Sequence, residues 1–169
     1  MKQKITPFLW FDQDAEEAMN FYVEVFSGSP KKSVDSKIIE IDRYEEGMEV
    51  PGMPQMLGKV LTGIFELNGQ QFMCLDGGPL FDFKQSVSFY IECEDQEEVD
   101  YFWEKLSAVP EMDQCGWVQD KFGLPWQIVP RMLGELMTDP DREKVYRVTN
   151  AMLKMKKIII SELEEAAKE

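Results

Sequence analysis

Apolar and polar positions along this chain follow one pattern twice. Asp14-Ala15-Glu16-Glu17-Ala18 runs into Phe21-Tyr22, and Asp95-Gln96-Glu97-Glu98-Val99 runs into Phe102-Trp103. The offset from Asp14 to Asp95 is 81 residues, and it also lays Phe8 on Phe89 and Trp10 on Ile91. A strand-then-helix unit that recurs at fixed spacing predicts two similar halves with a cavity or seam between them.

In the first half, Ile5 to Phe11 is a short apolar run stopped by Asp12, and it reads as a buried strand. Asp12 or Asp14 is placed to cap the next helix through its carboxylate. Ala15, Ala18, Met19, Tyr22, Val25 and Phe26 then fall on one helical face, and Gly28 follows as a left-handed terminator. A second strand is expected over 34–44. The stretch 45–58, rich in Gly, Pro and Met, reads as a long, partly packed loop. Val60 to Leu67 and Gln71 to Leu75 flank Asn68-Gly69, a hairpin signal because both turn positions need positive φ. The order is β-α-β-β-β.

The second half repeats it with a shorter end. Val87 to Cys93 is a strand, Asp95 and Glu98 form a capping box, and Val99, Phe102, Trp103 and Leu106 make the helix face. Pro110 breaks the chain, and Met112 to Val118 and Leu124 to Val129 read as short strands around Asp120-Lys121-Phe122-Gly123. The remainder is helical. Met132, Leu133, Leu136 and Met137 suggest a short helix. Asp139-Pro140-Asp141 is a start signal, with a cap followed by proline in the first turn. Val145, Val148, Met152 and Met155 keep helical spacing, and Ser161 with Glu164 opens a last helix. The expected organisation is a module over 1–79, a second over 80–130, and a helical tail over 131–169 that packs on its own body or on a partner chain.

Composition narrows the function. With 44% hydrophobic and 12% aromatic residues, the chain suits one compact domain or two half-domains sharing a core. Eighteen basic residues against 32 acidic ones give a net charge of −14, a field that repels phosphate backbones and excludes nonspecific nucleic-acid binding. Histidine is absent, which removes the commonest general base and the commonest transition-metal ligand. Cys74, Cys93 and Cys115 are odd in number and widely spaced, so a disulfide scaffold is not expected and a reducing cytosol fits better. The first residues lack a signal-peptide pattern, and no stretch approaches the ~20 apolar residues that span a bilayer. The expected place is the cytoplasm, away from membranes.

The candidate chemistry is sparse. Asp76, Glu92, Glu94 and Asp120 sit at strand ends or turns, where carboxylates more often cap or face water than bind metal. Cys74 and Cys93 read as buried. Cys115, beside Gly116-Trp117, stays open as a thiol that Lys121 or Arg131 would have to activate. Asp76-Gly77-Gly78-Pro79 lacks a phosphate-loop lysine and reads as a turn between modules. Aromatic residues around a pocket would favour a flat or apolar small ligand.

Several segments carry a family resemblance. They include Ile5-Thr6-Pro7-Phe8-Leu9-Trp10-Phe11, Asn20-Phe21-Tyr22, Phe65-Glu66-Leu67-Asn68-Gly69-Gln70, Gly77-Gly78-Pro79, the run from Glu97 to Leu106, and Cys115-Gly116-Trp117 through Gly123 to Trp126-Gln127-Ile128-Val129-Pro130. On these the chain resembles the PhnB-like proteins of the glyoxalase, or vicinal-oxygen-chelate, superfamily, often labelled "3-demethylubiquinone-9 3-methyltransferase domain". The resemblance implies an α+β fold, with two βαβββ modules forming cupped mixed sheets and a C-terminal helical tail. It also implies a homodimer.

The superfamily's metal ligands would fall near Pro7, in Met73 to Asp76, at Ser88 and at Gln127. Proline has no ligating side chain, and serine and glutamine are poor ligands for zinc or iron. Where relatives often carry histidine after Gly-Gly-Pro, this chain has Leu80. The resemblance therefore implies no superfamily metal site here, and no methyl-donor motif is visible, so no cofactor is expected. The leading expectation is a dimer that binds an unknown small organic ligand in a pocket drawn from Phe8, Trp10, Cys74, Asp76, Ser88, Tyr90, Trp117 and Gln127, with 45–58 as a lid. The alternatives are a metal-dependent lyase or dioxygenase, a methyltransferase as the family label claims, or a degenerate structural module.

Overall fold

The computed structural model describes residues 4–48, 52 and 55–168. Residues 49–51 and 53–54, on which much of the expected lid falls, lie outside the described residues. The chain is α+β and divides into two compact units, one ending at Asp82 and one beginning at Phe83. No helix among the described residues is long and apolar enough to cross a membrane.

In the first unit, β1 (Phe8–Phe11), β2 (Lys37–Arg43), β3 (Val60–Leu67) and β4 (Gln70–Asp76) form a sheet in the order β1-β4-β3-β2. β1 runs parallel to β4, and β3 is antiparallel to both its neighbours. Helix α1 (Ala15–Ser27) lies on one face of this sheet and buries Ala15, Ala18, Met19, Tyr22, Val25 and Phe26, the stripe read from the sequence. Leu9, Phe11, Phe65, Phe72 and Cys74 meet it from the strands, and the Phe65 ring stacks on Tyr22 at 6.3 Å and on Phe72 at 5.4 Å. Asn68 and Gly69 turn the hairpin with φ of 46° and 88°, as the signal required.

Three local expectations in this unit are corrected. Neither Asp12 nor Asp14 caps α1 through its side chain; Asp14 holds the cap position without a side-chain bond. The N–H of Ala15 donates instead to Asp76 Oδ1 at 2.8 Å, from the end of β4. This helix end is buried, so its donor must find an acceptor inside the protein. Gly28 ends α1 in right-handed geometry, with φ −85°. The strand expected from 34 starts at Lys37, because Ser33 N, Ser33 Oγ and Val34 N all donate to Asn68 Oδ1.

Asp76 is 1% exposed and both its oxygens are occupied, since Val60 N donates to Oδ2 at 2.8 Å. Burial pushes the carboxyl above its ordinary range, against the two N–H bonds, which pull it down.

In the second unit, β5 (Phe89–Cys93), β6 (Trp117–Gln119) and β7 (Pro125–Pro130) form a sheet in the order β5-β7-β6, with α2 (Gln96–Leu106) packed on it. β5 is parallel to β7 and β6 antiparallel to it. Among the described residues this unit has three strands to the first unit's four, the shorter end read from the sequence. The run from Met112 does not extend, because Cys115 (φ 52°) and Gly116 (φ 84°) turn the chain and leave only a single bridge between Gln114 and Trp117.

The capping box at α2 forms. Glu98 N donates to Asp95 Oδ1, while Glu98 Oε2 accepts from Glu94 N. A second sealed carboxylate, Asp120 at 1% exposure, accepts from Phe122 N, Leu124 N and the Trp126 indole at 2.9, 3.0 and 2.8 Å. It binds the β6–β7 connection into one closed turn.

Helices α3 (Arg131–Met137), α4 (Arg142–Met152) and α5 (Ile160–Lys168) follow. The cap of α4 is Asp141, which accepts from Glu143 N and Lys144 N, so Pro140 precedes the cap rather than entering the first turn. Met155 lies past the end of α4 yet is buried with Val129, Leu133, Val148, Ile158 and Leu163. The tail thus packs on its own unit. Gln96 on α2 clasps it, accepting from Ile160 N at 2.8 Å and donating to Ile158 O at 3.1 Å.

Asp76→Ala leaves two buried donors without an acceptor and should cost about 2–5 kcal/mol in denaturant unfolding, and Asp120→Ala at least as much. Lys157 Nζ meets Asp100 at 2.6 Å and is the main cause that lowers the Asp100 carboxyl. A lowered carboxyl stabilises the fold above its unfolded value, and the gain is lost as pH falls through the folded value. This pair is half exposed and solvent-screened, so Lys157→Gln should cost only about 0.2–1 kcal/mol near neutral pH. That deficit should vanish in strong acid; a pH-independent deficit would contradict the account.

Candidate functional site

Side chains alternate across a strand, so register decides which candidates share a face. In the first sheet Phe8 and Trp10 lie on the face away from α1, beside their β4 partners Met73 and Leu75. Cys74 and Asp76 are one step out of phase with those partners. They point beneath α1, where Cys74 is fully buried and Asp76 is spent on Ala15 and Val60. The four therefore divide between two faces of the sheet and do not form one pocket wall.

Trp10 is also held by structure. Its indole N–H donates to Gly78 O at 2.9 Å, and its ring meets Phe81 edge-on at 5.1 Å. The ring fills the place a Cβ on Gly77 would take, which accounts for glycine there.

The second sheet does gather its candidates. Gln127 on β7 has Tyr90 of β5 as its partner on one side and Trp117 of β6 on the other. Directly paired residues project to one face, so all three share it. Gln127 Nε2 donates to Ser88 Oγ at 2.8 Å, which fixes the amide. Ser88, Tyr90, Trp117 and Gln127 therefore form one cluster, drawn from three strands and the approach to β5.

Trp117 also walls an open cleft of about 410 Å³, shared with Gln85, Met112, Gln114 and Cys115. That volume is within the ordinary range for small-molecule sites. Gln85, Met112 and Gln114 escaped the sequence reading. Met112 and Gln114 lie in the run from Met112 to Val118 that reads as a strand, and nothing in a lone glutamine marks a cleft wall.

The tail helps to hold this wall. Cys115 N donates to Met155 O at 2.9 Å and Gly116 N to Lys156 O at 2.8 Å. A Cβ on Gly116 would come within 2.9 Å of Ile128 O, and φ there is 84°, so this turn requires glycine.

A larger cleft of about 520 Å³ runs along the tail, lined in part by Lys154, Lys156, Lys157, Glu162 and Glu165. Two of its lysines are committed, Lys156 to Pro110 O and Lys157 to Asp100. With no aromatic wall and its charges in mixed signs, it is the weaker candidate.

The donors at the superfamily's ligand positions do not fit a transition ion. Ser88 and Gln127 are neutral and bonded to each other, and Asp76 is turned away with both oxygens used. No group of three or more Cys, Asp or Glu side chains is arranged to hold a metal among the described residues.

Burial pushes the Cys74 thiol up to about 12 and raises Cys93 as well. Both are sealed, whereas Cys115 is partly exposed on the cleft. Iodoacetamide should therefore label Cys115 on the native protein, and Cys74 and Cys93 only after denaturation. Peptide mass spectrometry reads this directly, and native labelling of Cys74 would contradict the packing under α1.

Comparison with known proteins agrees with this architecture. Residues 3–129 match the 3-demethylubiquinone-9 3-methyltransferase family, so the match ends just before α3. The PhnB protein from Bacillus cereus is 38% identical, aligned over 76% of this chain and 99% of that one, with a TM-score of 0.59. Protein PA1353 from Pseudomonas aeruginosa, at 15% identity over 76% and 98% of the two chains, has a TM-score of 0.56 and shares the fold. No functionally curated protein matches. By family match and by likeness to a solved structure, this chain belongs to the 3-demethylubiquinone-9 3-methyltransferase family and is a PhnB-like domain protein.

Proposed function

We propose that this protein binds a small organic molecule on the second sheet, over Gln127 and into the adjoining cleft, as a cytoplasmic homodimer without a bound transition ion. The observation that carries this reading is the convergence on Gln127. An amide pinned by Ser88 lies between Tyr90 and Trp117, and Trp117 also walls a cleft of ligand size. Aromatic walls supply apolar contact, and a fixed amide supplies orientation.

Pairing of chains is supported by exposed apolar side chains in the first unit, with Phe8, Leu80 and Phe81 from 49% to 65% exposed. Three free cysteines support a reducing compartment.

A methyltransferase reading finds less support. Methyl transfer needs a donor site, and the Gly77-Gly78 turn is already committed. Gly77 N donates to Phe11 O, Gly78 N to Asp12 O, and Gly78 O accepts from Trp10.

Thermal-shift and metal analysis of the purified protein test the proposal. Aromatic fragments should raise Tm. Trp117→Ala should weaken them by about tenfold, as expected for loss of a stacking wall worth about 0.5–1.5 kcal/mol plus its buried area. Light scattering should give a dimer. A stoichiometric transition ion, or a clear shift with S-adenosylmethionine, would contradict the proposal.

A further inference from the structure

Three polar groups at the cleft have no protein partner among the described residues. They are the Gln85 and Gln114 carboxamides and the Trp117 indole N–H. Other amides and indoles of the chain are tied to the protein. Gln96, Gln119 and Gln127 are all engaged, to Ile158 O, Gly123 O and Ser88 Oγ, and the indoles of Trp10 and Trp126 are both bonded. The Trp103 indole on α2 is also without a protein partner, so what marks the cleft is the grouping there of two carboxamides and an indole N–H.

The second observation is charge. Of the whole chain 30% is charged, yet Gln85, Met112, Gln114, Cys115 and Trp117 include no ionisable acid or base other than a thiol. Asp113, inside this stretch, is buried and takes a hydrogen bond from Ser107 at 2.7 Å. A charged ligand would gain no counter-charge from these residues in exchange for any water it gives up. For an anion the overall charge of −14 adds repulsion.

The third is shape and hydrogen-bonding pattern. Trp117 offers a flat face and Met112 a polarisable thioether, both suited to a ring. A carboxamide presents a donor and an acceptor side by side. It pairs best with a ligand edge bearing the complementary couple, as glutamine does with the adenine edge.

On the reading of this site as a small-molecule binder, we propose that its ligand is an uncharged planar heterocycle with adjacent hydrogen-bond donor and acceptor, of the lactam or cyclic amidine type. The ring lies against Trp117, and the donor–acceptor edge meets Gln114 or Gln85.

Isothermal titration of the full chain with three probes of one size tests this. 2-Quinolone carries the lactam edge, 1-methyl-2-quinolone lacks its donor, and quinoline-2-carboxylate is an anion. The expected order is 2-quinolone tightest, the methylated ring at least fivefold weaker, and the anion weaker still. Gln114→Leu and Gln85→Leu, both on the surface and each confirmed as folded by circular dichroism, provide the controls. At least one should weaken 2-quinolone severalfold while leaving the methylated ring within twofold. Equal binding of all three probes, tightest binding of the anion, or no effect of either variant overturns the ligand class. If none of the three binds while another fragment perturbs Trp117, the class is wrong and the site reading stands. If no fragment reaches Trp117, both fall.

Discussion

A buried backbone N–H must have an acceptor, and in each unit one sealed carboxylate meets that demand. Asp76 ties the first turn of α1 to the start of β3 through Ala15 and Val60. Asp120 closes the β6–β7 connection through Phe122 and Leu124 and anchors the Trp126 ring. Each carboxylate is removed from water and compensated by several donors, the condition under which a buried charge is tolerated. The candidate site depends on the second of these. By fixing the turn, Asp120 sets the register that puts Trp117 opposite Gln127.

These two residues also show how far sequence reasoning reaches. By residue type both are candidate metal donors at strand ends or turns, and capping in a wider sense is what they do. What could not be seen was the partner. Asp76 serves a helix that begins 61 positions earlier in the chain. Local cap rules look a few residues ahead, so they favoured Asp12 or Asp14.

Features set by neighbours in sequence were legible: the α1 and α2 faces, the Asn68-Gly69 hairpin, and the box at Asp95 and Glu98. The site was half legible, and parity explains the division. Ser88, Tyr90 and Gln127 follow one strand phase across paired strands, and Trp117 enters it through its pairing with Gln127. Cys74 and Asp76 fall on the opposite face from Phe8 and Trp10, one step out of phase with their partners Met73 and Leu75. The cleft wall at 112–116 was hidden because a non-glycine residue, Cys115, takes positive φ. The tail carbonyls of Met155 and Lys156 that accept from this turn come from a segment beyond the family match. The tail therefore acts as a brace for a surface that the family domain supplies.

The account comes down to where a ligand lands. Amide and indole NMR spectra recorded with a pool of neutral aromatic fragments read this most directly. The account predicts shifts at the Trp117 indole and at the Gln114 and Gln127 side-chain amides, with Trp10 and the tail lysines undisturbed. Shifts centred on Phe8 and Trp10, or on Lys154 to Lys157, with Trp117 silent would contradict it.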